Sequence, residues 1–344
     1  MGTIFYSLKN WLTSATKRLF SHGVAGPPCE MPFPPSGTGL PCAHGGESAR
    51  PCPREGYHMT TTPYPTVTLR NGITLPALGM GTWRMGDDAA LRAHEVHSLQ
   101  SGLDSGLRII DTAEMYGHGR SEEVVGEALR GRRDQAFLIS KVLPGNATSR
   151  GTIEACERSL RHLNTDHLDL YLLHWPGSTP FTETLYAFET LKERGLIRDW
   201  GVSNFDTADM NDLAELGAYP LVNQILYSLE YRGTEYDLLP RDEQAHITSM
   251  AYCPIGQGGE LLHHPALRAI AHQHETSLGR ATPAQIALAW VLRRRNMIAI
   301  PKAGTPHHQA LNIAAQEIRL SHDDLAALDA AFPPPDGKET LAVI

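Results

Sequence analysis

The chain has 344 residues, 41% of them hydrophobic and 20% charged, with a formal net charge of -8. That suits one or two folded domains, and no run nears the ~18 apolar residues of a membrane span. The acidic balance speaks against a nucleic-acid partner, which calls for a basic face. Five cysteines without a CxxC pair form no disulfide framework, so a reducing compartment, the cytoplasm, is expected.

Residues 1–58 differ in kind from the rest. They hold eight of the 24 prolines and eight of the 31 glycines, with five Lys/Arg against three Glu. Residues 4–20, carrying Lys9, Lys17 and Arg18, could form a short basic amphipathic helix with a targeting or membrane-surface role. Residues 26–56 are too rich in Pro and Gly to bury much and read as disordered. Alternatively Met59 is the natural start. Cys42, His44, Cys52 and His58 match no common zinc spacing and read as linker. The expected division is an extension over 1–58, a folded body over 59–332 and a short tail over 333–344.

The body opens with two extended runs, 66–70 and 73–76, around Asn71-Gly72, a β-hairpin signature. Short apolar runs follow at 77–81, 107–111, 137–141, 168–174, 200–203, 221–224, 248–252 and 298–301. Stretches of helical periodicity lie between them at 89–103, 121–129, 152–163, 182–194, 207–216 and 283–294, with Asp166 and Thr207 as entry points and Pro283 at a first helical position. Eight strands alternating with helices predict a (β/α)8 TIM barrel, α/β in class. A doubly wound sheet is the runner-up, weakened because no strand is followed by GxGxxG.

A barrel keeps its chemistry at the carboxyl ends of its strands. Here those ends carry Asp111, Lys141, His174, Ser203-Asn204, Gln224 and Tyr252, and Lys302 follows the eighth strand. One such residue would be unremarkable; seven at one mouth are not explained by solubility. Asp111 and Lys141 are an expected buried ion pair. A tyrosine beside that ammonium should have its phenol lowered from about 10 and serve as a general acid. A metal-dependent hydrolase would need clustered His/Asp ligands at strand ends, and of the 17 histidines only His174 fits, so no metal is expected.

At these residues the chain resembles the aldo-keto reductase family, in its bacterial form. The likeness runs in order through GMGTW (79–83), DTAEMYG (111–117), LISKV (138–142), YLLHWP (171–176), GVSNF (201–205), VNQ (222–224), AYCPIG (251–256) and IPKAG (300–304). It implies a catalytic tetrad of Asp111, Tyr116, Lys141 and His174, and reduction of an aldehyde or ketone by hydride from a nicotinamide dinucleotide. Gly81, Thr82, Ser203, Asn204 and Gln224 would meet that cofactor, the last three at its carboxamide, and Tyr252 would stack on the nicotinamide. The turn of Cys253, Pro254, Ile255, Gly256 and Gln257 would follow the pyrophosphate. Lys302, Ala303, Gly304 and Thr305 would hold the 2′-phosphate, with Asn312 at the adenine. Gly256 also reads as a plain turn glycine, and Asn312 as a helix-surface residue.

One departure matters. His308 stands where the family commonly has a phosphate-binding arginine, and an imidazole holds a 2′-phosphate less firmly than a guanidinium. NADPH is therefore expected, with NADH possible. Trp83 and Trp175, with His174, would border the substrate, although either tryptophan could be core. The short loop after the fourth strand and the short C-terminal tail predict an open mouth for small aldehydes such as methylglyoxal or sugar-derived carbonyls. The competing reading is a nicotinamide-binding sensor or regulatory subunit with little turnover. The enzyme is expected to act as a monomer, with no nucleic acid and no stable membrane association.

Overall fold

The computed structural model of the chain describes residues 64–344. The readings made for residues 1–58 lie outside them. Strands β1 (Thr66–Thr68) and β2 (Thr74–Pro76) pair antiparallel with Thr66 opposite Pro76, and Gly72 in the connecting turn has φ 87°, a conformation open to glycine at little cost.

The chain then alternates: β3 (Met80–Gly81), α1 (Arg92–Asp104), β4 (Ile109–Asp111), α2 (Arg120–Ala128), β5 (Phe137–Val142), α3 (Ser149–Leu163), β6 (Leu168–Leu173) and α4 (Phe181–Glu193). It continues through β7 (Ile197–Ser203), α5 (Thr207–Glu215), β8 (Val222–Leu226), α6 (Leu238–Gln244), β9 (Thr248–Tyr252) and α7 (Pro265–Ala271). A small hairpin, β10 (Glu275–Thr276) with β11 (Gly279–Arg280), precedes α8 (Pro283–Leu292), β12 (Met297–Ala299), α9 (Pro306–Ala314) and α10 (His322–Ala331).

Eight parallel strands lie side by side in the order β3-β4-β5-β6-β7-β8-β9-β12. The seam between first and last is joined by hydrogen bonds from Gly79 N to Ala299 O (2.8 Å) and from Ala299 N to Ala77 O (2.8 Å), and by a parallel bridge from Gly81 to Lys302. The sheet is thus curled onto itself, and the doubly wound alternative falls. Every residue of β5 and β8 is buried, as expected of strands covered by helices on one face and by the barrel interior on the other.

Local signals set the helix starts. Thr148 caps α3 through the Gly151 amide at 3.0 Å. Asp206 with Asp209, Thr282 with Gln285 and Ser321 with Asp324 form capping boxes at α5, α8 and α10. The cap of α5 is therefore Asp206, one residue before the expected Thr207. Asp166 opens no helix; it lies in the turn between α3 and β6. Helices α6, α7, α9 and α10 were not anticipated.

After α10 the tail has no regular element but is anchored. Lys338 Nζ meets Asp206 Oδ1 at 2.6 Å and Asp237 Oδ2 at 2.9 Å, and the Ile344 amide faces the Tyr252 phenol. Among the described residues no helix is long and apolar enough to cross a membrane.

Candidate active site

Asp111 ends β4, and Lys141 lies on the neighbouring strand β5, two residues past the Asp111 partner Ile139, so both side chains point to one face. Lys141 Nζ donates to Asp111 Oδ1 at 2.6 Å, to Thr112 O at 2.8 Å and to Tyr116 Oη at 3.3 Å. Lys141 is fully buried and Asp111 nearly so. Burial lowers the proton affinity of the ammonium, while Asp111 and, more weakly, Glu122 raise it.

The Tyr116 phenol is pushed well above its ordinary 10.0, first by burial, then by the Asp111 and Cys253 charges. This reverses the lowering expected from the sequence: desolvation penalises phenolate, and the carboxylate that holds Lys141 also repels it. Tyr116 is consequently held in its protonated form. His174 follows β6, its amide donating to Val142 O at 2.9 Å. Its ring meets Tyr116 edge-on at 5.8 Å and Trp175 at 4.8 Å. Burial, then Lys141, hold its pKa down at about 2, so the imidazole is neutral. Its Nδ1 is buried with no hydrogen-bond partner among the described residues.

The next strand ends are joined to this cluster. Gln224 Nε2 donates to Asp111 Oδ2 at 2.8 Å, and Ser203 Oγ donates to Gln224 O at 2.9 Å. Asn204, at φ 58°, donates to His174 O at 3.1 Å and accepts the Tyr252 hydroxyl at 2.8 Å. The turn after β9 holds Cys253, Gly256 and Gln257 at φ 48°, 60° and 57°, with Pro254 buried and Ile255 half-buried. At φ 60° a side chain at Gly256 would be strained, and its Cβ would crowd Leu261 at 3.0 Å and displace Glu230 Oε2.

Across the seam, Gly81 packs against Ile300 O, where a Cβ would stand at 2.6 Å. Thr82 is fully buried and its hydroxyl donates to Asp111 O at 2.9 Å and accepts from Ser121 at 2.8 Å. Its side chain is thereby tied to the backbone at the end of β4. Lys302 is exposed beside Gly304; Ala303 is buried, its carbonyl taken by Ser98 Oγ at 2.8 Å. Thr305 caps α9 at the His308 amide (3.2 Å), His308 is exposed on the first turn, and Asn312 is buried further along the helix. Trp83 and Trp175 are each 37% exposed, so neither is core.

Four contributors were given no role from the sequence. Thr112 supplies the carbonyl under Lys141. Glu114 binds the Leu143 amide (2.8 Å) and Asn146 (2.9 Å), fixing the loop after β5. Met115 is exposed beside Tyr116, and the Arg84 guanidinium lies 4.3 Å over the Trp83 ring. Glu114 and Met115 stand inside the quoted DTAEMYG, so their place was legible though their contacts were not. Among the described residues no group of three His, Cys, Asp or Glu is placed to hold a metal ion.

A closed (β/α)8 barrel thus gathers a buried Asp–Lys pair, a phenol and an imidazole at its strand ends, where this fold keeps its chemistry. Comparison with known proteins narrows this: the Aldo/keto reductase family profile matches residues 77–332, and the chain belongs to that family of oxidoreductases. Methylglyoxal reductase YeaE of Escherichia coli K12 is 50% identical over 278 residues, spanning 79% of this chain and 96% of that protein. Glyoxal reductase of Bacillus subtilis is 33% identical over 278 residues, 79% and 94% of the two chains. An aldo-keto reductase from Klebsiella pneumoniae, solved in complex with NADPH, superimposes with a TM-score of 0.78 at 46% identity, covering 82% of this chain and 99% of that one.

Proposed function

We propose that the protein reduces small aldehydes, α-oxoaldehydes such as methylglyoxal first among them, with NADPH as preferred cofactor and NADH as a second. The observation that carries this reading is the buried Lys141 ammonium, bonded to Asp111 at 2.6 Å and to the Tyr116 phenol at 3.3 Å. The likeness to the E. coli and B. subtilis reductases supports the substrate class, and the NADPH-bound K. pneumoniae relative supports the cofactor.

The residues present suit a nicotinamide dinucleotide. Amide and hydroxyl groups of Ser203, Asn204 and Gln224 would meet the carboxamide, Tyr252 offers a half-buried ring to the nicotinamide, and Gly256 admits the pyrophosphate to bare backbone. Exposed Lys302 and His308, with Thr305, stand where a 2′-phosphate would bind. When bound, the cofactor supplies hydride to the carbonyl carbon.

Tyr116, kept protonated by burial, donates to the carbonyl oxygen. Lys141 stabilises the phenolate that the transfer leaves, and Asp111 holds Lys141 in reach. Neutral His174 directs the carbonyl oxygen without competing for the proton. Trp83, Met115 and Trp175 border the mouth, and the loop from Trp175 to Pro180 runs directly into α4. The free thiols of Cys156 and Cys253 suit a reducing compartment, the cytoplasm.

The test is oxidation of NADPH and of NADH, followed separately with methylglyoxal, in wild type and Tyr116→Phe. The variant should lose kcat by about 10²-fold or more while still binding NADPH. His308→Arg should raise the NADPH-over-NADH ratio several-fold, as a fixed charge replaces an imidazole. Wild-type binding of NADPH without turnover of any aldehyde would instead favour a sensor or regulatory subunit.

A further inference from the structure

The acid–base cluster uses Asp111 and leaves a second buried carboxylate behind it. Glu122, in the first turn of α2, is fully buried. Its Oε1 accepts the Ser140 hydroxyl at 2.6 Å, and its Oε2 faces His162 Nδ1 on α3 at 3.1 Å. A carboxylate withdrawn from water costs several kcal/mol unless its oxygens are bonded, so this group is worth its place only through what it fixes.

Both partners lead to the reacting pair. Ser140 directly precedes Lys141 on β5, pointing outward to the helices while Lys141 points inward. His162 lies against Gly119, where a Cβ would run into the imidazole ring. Gly119 ends the turn that begins at Tyr116. Gly117, His118 and Gly119 all have positive φ, 57°, 55° and 91°, and such a turn persists only where its surroundings over-determine it. The residues beside Glu122 complete the brace: Arg120 Nε donates to Gly86 O at 3.0 Å, and Ser121 Oγ lies 3.0 Å from Thr82 O and 3.2 Å from Thr112 Oγ1. Among the described residues, Glu122 is the side chain of this helix turn that bonds to both β5 and α3.

We propose that Glu122 is a positioning residue for the proton transfer, setting the strand of Lys141 through Ser140 and bracing the turn of Tyr116 through His162. It touches neither substrate nor cofactor, and its role rests on Tyr116 and Lys141 acting as the proton-donating pair. Its charge also favours the Lys141 ammonium against burial.

The experiment compares the full chain with Glu122→Ala, Glu122→Gln and Ser140→Ala, using NADPH and methylglyoxal. Glu122→Ala should lower kcat about 10- to 100-fold, the scale of a small misplacement of reacting groups. KM and the NADPH Kd should stay within about twofold, because neither ligand touches Glu122. The slowing of kcat in D2O should grow, because a misaligned proton donor makes proton transfer more rate-limiting. Glu122→Gln can accept from Ser140 and donate to His162, and should recover kcat to within about threefold of wild type. Ser140→Ala removes one link without a large cavity and should lower kcat several-fold with the same D2O signature, which decides the matter if Glu122→Ala does not fold.

Unchanged kcat in Ser140→Ala and Glu122→Ala overturns the proposal. So does a loss of kcat that runs in step with NADPH affinity and Tm and leaves the D2O effect unaltered, the mark of a purely structural role. Absence of wild-type turnover overturns the reductase reading itself, and this proposal with it.

Discussion

At the scale of single residues, the site depends on a lysine that burial disfavours and a tyrosine that burial keeps protonated. Lys141 is tolerated because Asp111 and Thr112 bond its ammonium. Replacing it by Met leaves Asp111 buried with Gln224 as its remaining side-chain partner, a situation that typically costs about 3–5 kcal/mol. Lys141→Met should therefore lower Tm clearly as well as abolishing turnover, measurable by thermal unfolding beside the NADPH assay. His174 has a folded pKa of about 2 against an ordinary 6.5. The unfolded chain then binds the extra proton below pH 6.5, so stability contributed by this residue is complete above that value and is lost as pH falls towards 2. Wild type should lose stability below pH 6.5 more steeply than His174→Gln does, as read from Tm against pH.

At the scale of elements, the strands were legible because each is a short apolar run, and the predicted 248–252 coincides with β9. Helices α6 and α7, seven residues each, are too short for a 3.6-residue period to show, and they went unrecognised. Strand β3 is only two residues long, and its contact with Ile300 admits no side chain at Gly81. Gly81→Ala should destabilise the protein by about 1–3 kcal/mol through overpacking at the seam, seen as a lower urea midpoint. The anchoring of the tail was not legible in the sequence: Lys338 ties it to Asp206 and Asp237. Lys338 is half-exposed, so such pairs add little stability. Lys338→Ala should leave Tm nearly unchanged while making the tail more sensitive to protease.

At the scale of the whole molecule, closing the sheet places polar groups where water does not reach. Asp242 on α6 is fully buried, and its pKa is raised from 3.8 to about 6, burial outweighing the bonds from Asn223 and Arg241. Folding therefore takes up a proton between those values; stability falls as pH rises towards 6, and the full cost is present above it. Asn223, whose Nδ2 meets Asp242, has its Oδ1 buried without a partner among the described residues. Asp242→Asn removes the charge and keeps one acceptor for Asn223 Nδ2 or the Arg241 guanidinium. The variant should gain on the order of 2 kcal/mol at pH 8, with the gain shrinking towards pH 4, measured by urea unfolding at both.

Legible in the sequence were the order of the strands, six of the helices and the residues at the strand ends, because these are written in local periodicity and in the chemistry of neighbouring positions. Asp111, Lys141, His174 and Gln224 were named from those ends; the fold bonds Lys141 and Gln224 to Asp111 and sets the His174 ring edge-on to Tyr116. Tertiary structure decided the upward shift of Tyr116, the scaffolding place of Thr82, the anchoring of the tail and the burial of Glu122. Each depends on desolvation or on charges from distant parts of the chain, and such quantities exist only once the barrel has closed around them.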